Sequence, residues 1–175
     1  MAPAPLIRQL NPADRDAFFQ LRLRALLTHP ESFGQSHQEA LERGPQHYDA
    51  VLQGARAAEG NFVLGAFTAE DQALIGMVGL TRQERIKDLH KASVVGMYVA
   101  AEAAGRGVGR ALLTELLARA DRVEGLRQIQ LVVASKNDAA RRLYESVGFR
   151  PYGREIEGLC VNGVFSDLDL MARFI

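Results

Sequence analysis

The 175 residues carry 21 basic and 21 acidic side chains, a formal net charge of zero, which excludes both the basic footprint of a nucleic-acid binder and an acidic tail. The length suits one domain over residues 1–175, large enough to bury its own core without staples. A single cysteine, Cys160, excludes an internal disulfide and points to a reducing compartment.

Residues 6–10 read as a short apolar strand. Asn11 is placed to cap a helix that Pro12 opens. Phe18, Leu21, Leu23, Ala25, Leu26 and Leu27 form its apolar stripe, which ends before Pro30. Residues 30–34 read as a loop, and Pro45 opens a second helix through about Gln53. Residues 61–67 and 73–81 are strands joined by a turn at residues 70–72. Residues 82–91 are polar and read as a strand end plus loop, and residues 94–99 as a third strand.

A long helix over residues 106–122 follows, its apolar face built from Val108, Leu112, Leu113, Leu116, Leu117 and Ala120. Residues 128–134 alternate as a strand. Residues 137–147 form another helix, which Gly148 terminates. Two last strands, residues 149–157 and 164–172, are joined through Asn162 and Gly163, a strong hairpin pair. The order predicts one mixed α/β sheet, of six or seven strands, flanked by about four helices. The first residues lack a basic stretch followed by a long apolar run, and no stretch approaches the ~18 apolar residues of a bilayer span. A soluble cytoplasmic protein is the expectation.

The first specific signal lies between the strand at 94–99 and the long helix. Gly105, Gly107 and Gly109 leave the backbone uncrowded, so their N–H groups can converge on one concave surface. The helix start adds unpaired donors and a positive dipole end, and Arg106 and Arg110 add charge. Such a place binds phosphate. Taken alone, a glycine-assisted helix start is the alternative. A dinucleotide fingerprint fails because its third glycine would fall on Arg110, and no P-loop Gly-Lys-Ser/Thr is present.

The second signal is Asn137, Ala140, Leu143, Tyr144, Gly148 and Phe149, spaced along the next helix. Together with Gly107 and Gly109, this pattern resembles the GCN5-related N-acetyltransferase (GNAT) family. The family's Gln/Arg at the head of the glycine loop is Ala104 here, a departure that removes one side-chain contact. The resemblance is best over residues 94–172. It implies an acyl-CoA N-acyltransferase fold in which the strands at 94–99 and 128–134 splay apart to admit acetyl-CoA as cosubstrate. Backbone groups near Met97 and Val99 would then pair with the pantetheine arm. Gly105, Arg106, Gly107, Val108, Gly109 and Arg110 would hold the pyrophosphate, and Asn137 and Tyr144 would line the cleft.

Acetyl transfer to an amine needs a neutral nucleophile, stabilisation of the carbonyl oxygen and a proton donor for the departing thiolate. The resemblance assigns the second task to the N–H of Val99 and the third to Tyr144. For Tyr144, the alternative is a core aromatic beside Leu143 and Val147. Many relatives carry a Glu on the strand corresponding to residues 94–99, and this strand has none. Glu84, Asp88, His90 and Glu102 are the nearby bases, His90 having the residue type best suited to neutral pH. The loop at 29–34 would face the acetyl end, Glu31 drawing a cationic amine and Phe33 lining a wall. His29, His37, His47, His90 and Cys160 have no metal-ligand spacing, so no metal is expected. The expected partner is a small-molecule or protein amine, with no nucleic acid or membrane and with a homodimer as an ordinary assembly. The missing strand Glu leaves a non-catalytic acyl-CoA-binding domain as the rival function.

Overall fold

The structure, a computed structural model, describes residues 4–175; the residues before Ala4, part of the stretch read for an export signal, lie outside the described residues. Seven strands form one sheet: β1 (Leu6–Gln9), β2 (Phe62–Phe67), β3 (Leu74–Arg82), β4 (Lys91–Val99), β5 (Gln128–Ala134), β6 (Arg150–Val161) and β7 (Val164–Phe174). Their spatial order is β1-β2-β3-β4-β5-β7-β6. All neighbours run antiparallel except β4 and β5. A parallel pair needs a crossover, and α4 (Val108–Ala120) supplies it. The helices α1 (Arg15–Thr28), α2 (His37–Arg43) and α3 (Asp49–Leu52) lie between β1 and β2 in sequence, and α5 (Asp138–Ser146) follows β5.

Two apolar clusters cover the two faces of the sheet. One packs Leu112, Leu113 and Leu116 of α4 against Val78, Ile129 and Phe149. The other packs Phe18, Leu21 and Ala25 of α1 against Met77 and Tyr98. Met77 and Val78 are neighbours in sequence yet serve opposite clusters, as the period of two in a strand requires. Each fully buried Leu among them contributes about 1.5–3 kcal/mol.

The mixed sheet is as the sequence predicts, with seven strands, and five α-helical segments where about four were expected. The extra one is α2. Its start is written in the sequence as a capping box: Ser36 accepts from the Glu39 N–H at 3.1 Å, and Glu39 accepts from the Ser36 N–H at 2.8 Å. The helix expected after Pro45 is a 3-10 turn over Pro45–Tyr48 followed by the single turn of α3. Leu27 falls off the predicted stripe and is exposed. α4 begins at Val108 because Gly105 and Gly107 adopt left-handed φ of 73° and 77°, which no helix continues through. Asn162 and Gly163, at φ 50° and 79°, join β6 to β7 as a two-residue turn. Among the described residues, no helix is long and apolar enough to cross a membrane.

Candidate functional site

β4 and β5 pair only over their first three residues, Lys91 to Ser93 against Gln128 to Gln130. Beyond that they part, and a cleft of about 240 Å³ opens between them, with Met97, Val99, Leu131, Asn137 and Tyr144 in its walls. The cause is local. β4 carries a bulge: Tyr98 pairs with Met77 and Val95 with Gly79, leaving Gly96 and Met97 opposite Val78 alone. Gly96 takes a φ of 62° there, a conformation open to glycine and costly to other residues. The extra residue bends β4 away from β5, while β5 stays paired along its full length with β7.

The backbone of β4 faces this gap. Ala100 donates its N–H to Ile75 on β3 at 2.9 Å. Strand alternation therefore turns the Val99 N–H to the opposite edge, toward the cleft. Tyr144, at the end of α5, is buried and rests edge-on against Phe149 with ring centres 6.0 Å apart. Its hydroxyl is neither hydrogen-bonded within the protein nor sealed from solvent, and burial pushes its pKa up to about 12. Asn137 also lines the cleft; its Oδ1 caps α5 by accepting from the Ala140 N–H at 3.1 Å, which leaves its amide nitrogen free.

The glycine loop borders the cleft through Gly109, which abuts Leu143, Met97 and Val99. The N–H groups of residues 105–110 donate to no acceptor among the described residues, and no side chain caps α4. Its first turn holds no acidic residue. Such a run of free donors at a positive dipole end suits an anion. The loop is not a single cradle, however. Arg106, Gly107 and Val108 border a separate hollow of about 520 Å³ beside Ile75 and Thr68, and the Val108 side chain is buried in the core. Arg110 is exposed and makes no ion pair among the described residues.

None of the four candidate bases lines the cleft. Glu84 pairs with Arg56, Asp88 with Lys91 and Glu102 with Arg24; the Arg24 guanidinium holds the Glu102 carboxyl down to about 2. His90 lies at the paired end of β4, where its carbonyl accepts from Arg127 and Gln128. The loop before α2 does reach the cleft, through His29, Ser32 and Phe33. Glu31 is not in the wall but stands 3.6 Å from His29 Nδ1. The sequence places the 29–34 loop at the acetyl end but gives His29 itself no role; as the residue that ends α1, far from β4 in sequence, it carries no local signal of one. Gly96 could have been found, since a lone glycine inside a strand marks a bulge.

Three comparisons bear on this geometry. A model of the acetyltransferase (GNAT) family matches residues 21–149. A mycothiol acetyltransferase of Brachybacterium faecium is 28% identical over 162 residues, covering 89% of this chain and 45% of that one; the chain thus spans about half the length of the curated relatives it matches. Two solved structures, a GNAT acetyltransferase from Streptococcus pneumoniae and a GCN5-related N-acetyltransferase from Kribbella flavida, superpose with TM-scores of 0.86 and 0.79. Their identities are 25% and 27%; each alignment covers 98% of this chain, and 99% and 98% of the respective partner. The splayed strands, the free N–H groups before α4 and the matching of most of the chain have one explanation: it belongs to the GNAT acetyltransferase family.

Proposed function

We propose that the chain transfers the acetyl group of acetyl-CoA to an amine by direct attack within a ternary complex. The observation that carries this reading is the cleft itself: a parted strand pair offers an unpaired backbone N–H at Val99 on one wall and an unpartnered phenol at Tyr144 on the other. Pantetheine amides would pair with β4 at Met97 and Val99, and the pyrophosphate would lie on the free N–H groups of residues 105–110, beside Arg106 and Arg110. Asn137 would contact the cofactor through its free amide.

The ammonium first loses one proton, and His29, the imidazole in the cleft wall, is our candidate acceptor. The neutral nitrogen attacks the thioester carbonyl carbon. Charge gathers on the carbonyl oxygen, where the Val99 N–H opposes it. The C–N bond forms, the C–S bond breaks, and Tyr144 donates a proton to the departing thiolate; the nitrogen's second proton restores the phenol through solvent. The products are an N-acetyl amine, CoA thiol and one proton.

The partner is an amine-bearing acceptor, and we read a second copy as the assembly partner, supported by Tyr152, Ile156, Val164 and Phe165 exposed on β6 and β7. The test is acetyl-CoA with a panel of amines, read by free-thiol release, beside a thermal-shift titration. Stabilisation by acetyl-CoA and CoA is expected, since a ligand of the native state raises apparent stability. Stabilisation by NAD or ATP in its place would sink the reading. Cofactor binding without turnover on any amine would favour the non-catalytic rival.

A further inference from the structure

A second hollow, of about 200 Å³, lies on the α1 side of the sheet, and Gly96 borders both it and the cleft. Phe18, Tyr48, Val51, Val63 and Met77 make it apolar; Arg22 is the one charged residue in its wall, and no Asp or Glu lines it. We infer that this hollow takes the acceptor and that Arg22 binds the acceptor's carboxylate, so that the acceptor is a small α-amino acid with an apolar or aromatic side chain. The inference rests on the acetyltransferase reading above.

The case begins with Arg22. It lies in the apolar register of α1, one helical turn past Phe18, and is half-buried. Yet it forms no ion pair among the described residues. Its Nη2 donates to Gln35 Oε1 at 3.0 Å, and the guanidinium lies over the Phe33 ring at 5.0 Å. Its Nε is buried without any partner, and Nη1 stands 3.6 Å from where a Cβ on Gly96 would be. A partly desolvated cation with idle donors is costly unless an anion completes it. A guanidinium matches a carboxylate in shape and charge. The acetyl end of the cofactor carries no charge, so the anion has to come from the acceptor.

Position and lining then fix the class. Arg22 faces the bulge at Gly96, the residue that borders both cleft and hollow, so a carboxylate bound there would lie beside the cleft wall. An α-amino acid sets its amine two bonds from its carboxylate carbon, which fits that proximity. Its side chain would enter the apolar wall between Phe18, Tyr48 and Val51. Polyamines and aminoglycosides fit badly, because several cations would meet Arg22 and no acid. A volume below the ~300–1,000 Å³ of drug-sized sites also favours a small acceptor.

The test compares leucine, methionine and phenylalanine with their amides and with spermidine, by thiol release and by thermal shift for each compound alone. We expect the free acids to stabilise the protein and to react, and the amides to lose roughly 10- to 100-fold in kcat/KM, as for loss of a charge-assisted partner. Arg22→Gln should cost the acids a similar factor, leave the amides nearly unchanged and keep the acetyl-CoA thermal shift. Val51→Phe, which shortens the hollow, should penalise phenylalanine more than leucine. Acids and amides reacting alike, spermidine reacting best, or Arg22→Gln slowing every amine equally would overturn the inference; the last result would place Arg22 on the acetyl oxygen instead. Absence of an acetyl-CoA shift would strike the acetyltransferase reading alone, because the shift with amino acid by itself still decides whether the hollow binds it.

Discussion

A Cβ added to Gly109 would stand 3.1 Å from Leu143 Cδ2, so α4 and α5 meet through a missing side chain. Met97 Cε lies 3.2 Å from the same point, which brings the cleft wall into the same contact. Gly109→Val therefore overpacks a junction and should cost about 1–3 kcal/mol, lowering Tm by roughly 2–10 °C in a chain of this size. Gly107 differs: nothing lies within 4 Å of its added Cβ, and only its left-handed φ of 77° resists substitution. Gly107→Ala should cost about 1–2 kcal/mol. It is the cleaner probe of pyrophosphate approach, through acetyl-CoA titration at a temperature where both proteins are folded. A Gly109→Val protein that melts like the parent would contradict the close contact.

Tyr144→Phe removes only an oxygen that has no partner within the protein. Turnover should fall by roughly 10²-fold, the low end of general acid contributions, while Tm and acetyl-CoA affinity stay near parental values. Unchanged turnover would leave Tyr144 as a packing residue against Phe149.

The same phenol makes a pH prediction. Burial raises its pKa to about 12 in the folded state, against about 10 for a free tyrosine. The unfolded chain therefore releases this proton first as pH rises, and the folded state holds it. Stability from this group is fully present below pH ~10 and is lost as pH climbs toward 12, by roughly 2–3 kcal/mol in all. Denaturant titrations at pH 9, 10 and 11 should show the fall starting above 10, and Tyr144→Phe should flatten it. Turnover should show no alkaline loss from this residue below pH 10.

At the acid end the relevant pair is Arg8 and Asp14. The Asp14 carboxylate accepts from both terminal nitrogens of Arg8, at 2.7 and 2.8 Å, and from the Asn11 N–H at 2.9 Å. These bonds hold its pKa below the usual carboxylate value, Arg8 contributing most. A lowered pKa gives stability that is present above the unfolded value of about 3.9 and lost as pH falls through the folded one. Asp14→Ala should cost about 1–3 kcal/mol at pH 7, toward the low end because Arg8 is more than a third exposed. Its deficit should shrink at pH 2–3. A deficit independent of pH would point to lost packing alone.

Much of the scaffold can be read along the chain because its signals are local. Asn11 before Pro12, the alternation of β5 and the Asn162–Gly163 pair each act within a few residues. The glycine loop and the spacing from Asn137 to Phe149 lie within one crossover and its following helix, so the residues that line the cleft at Met97, Val99 and Tyr144 stand close to signals legible in the sequence. The α2 capping box, Ser36 with Glu39, is equally local, but a helix of only two turns carries too short an apolar pattern to stand out beside it.

The pairing of β4 with both neighbours is a different matter. Whether a parallel pair separates depends on a bulge whose register is set by β3, and on β5 being held by β7. No window of sequence contains both facts. The same holds for His29 and Arg22, which approach β4 only after α1 has packed across the sheet, and for Glu84, Asp88, His90 and Glu102, whose nearness in sequence to β4 did not bring them to the cleft. Periodicity and turn chemistry thus determined the elements and the glycine loop before α4, since their energies are short-range. The apolar hollow beside Gly96 was decided by tertiary packing, since its walls come from α1, α3 and three strands that touch only in the folded chain.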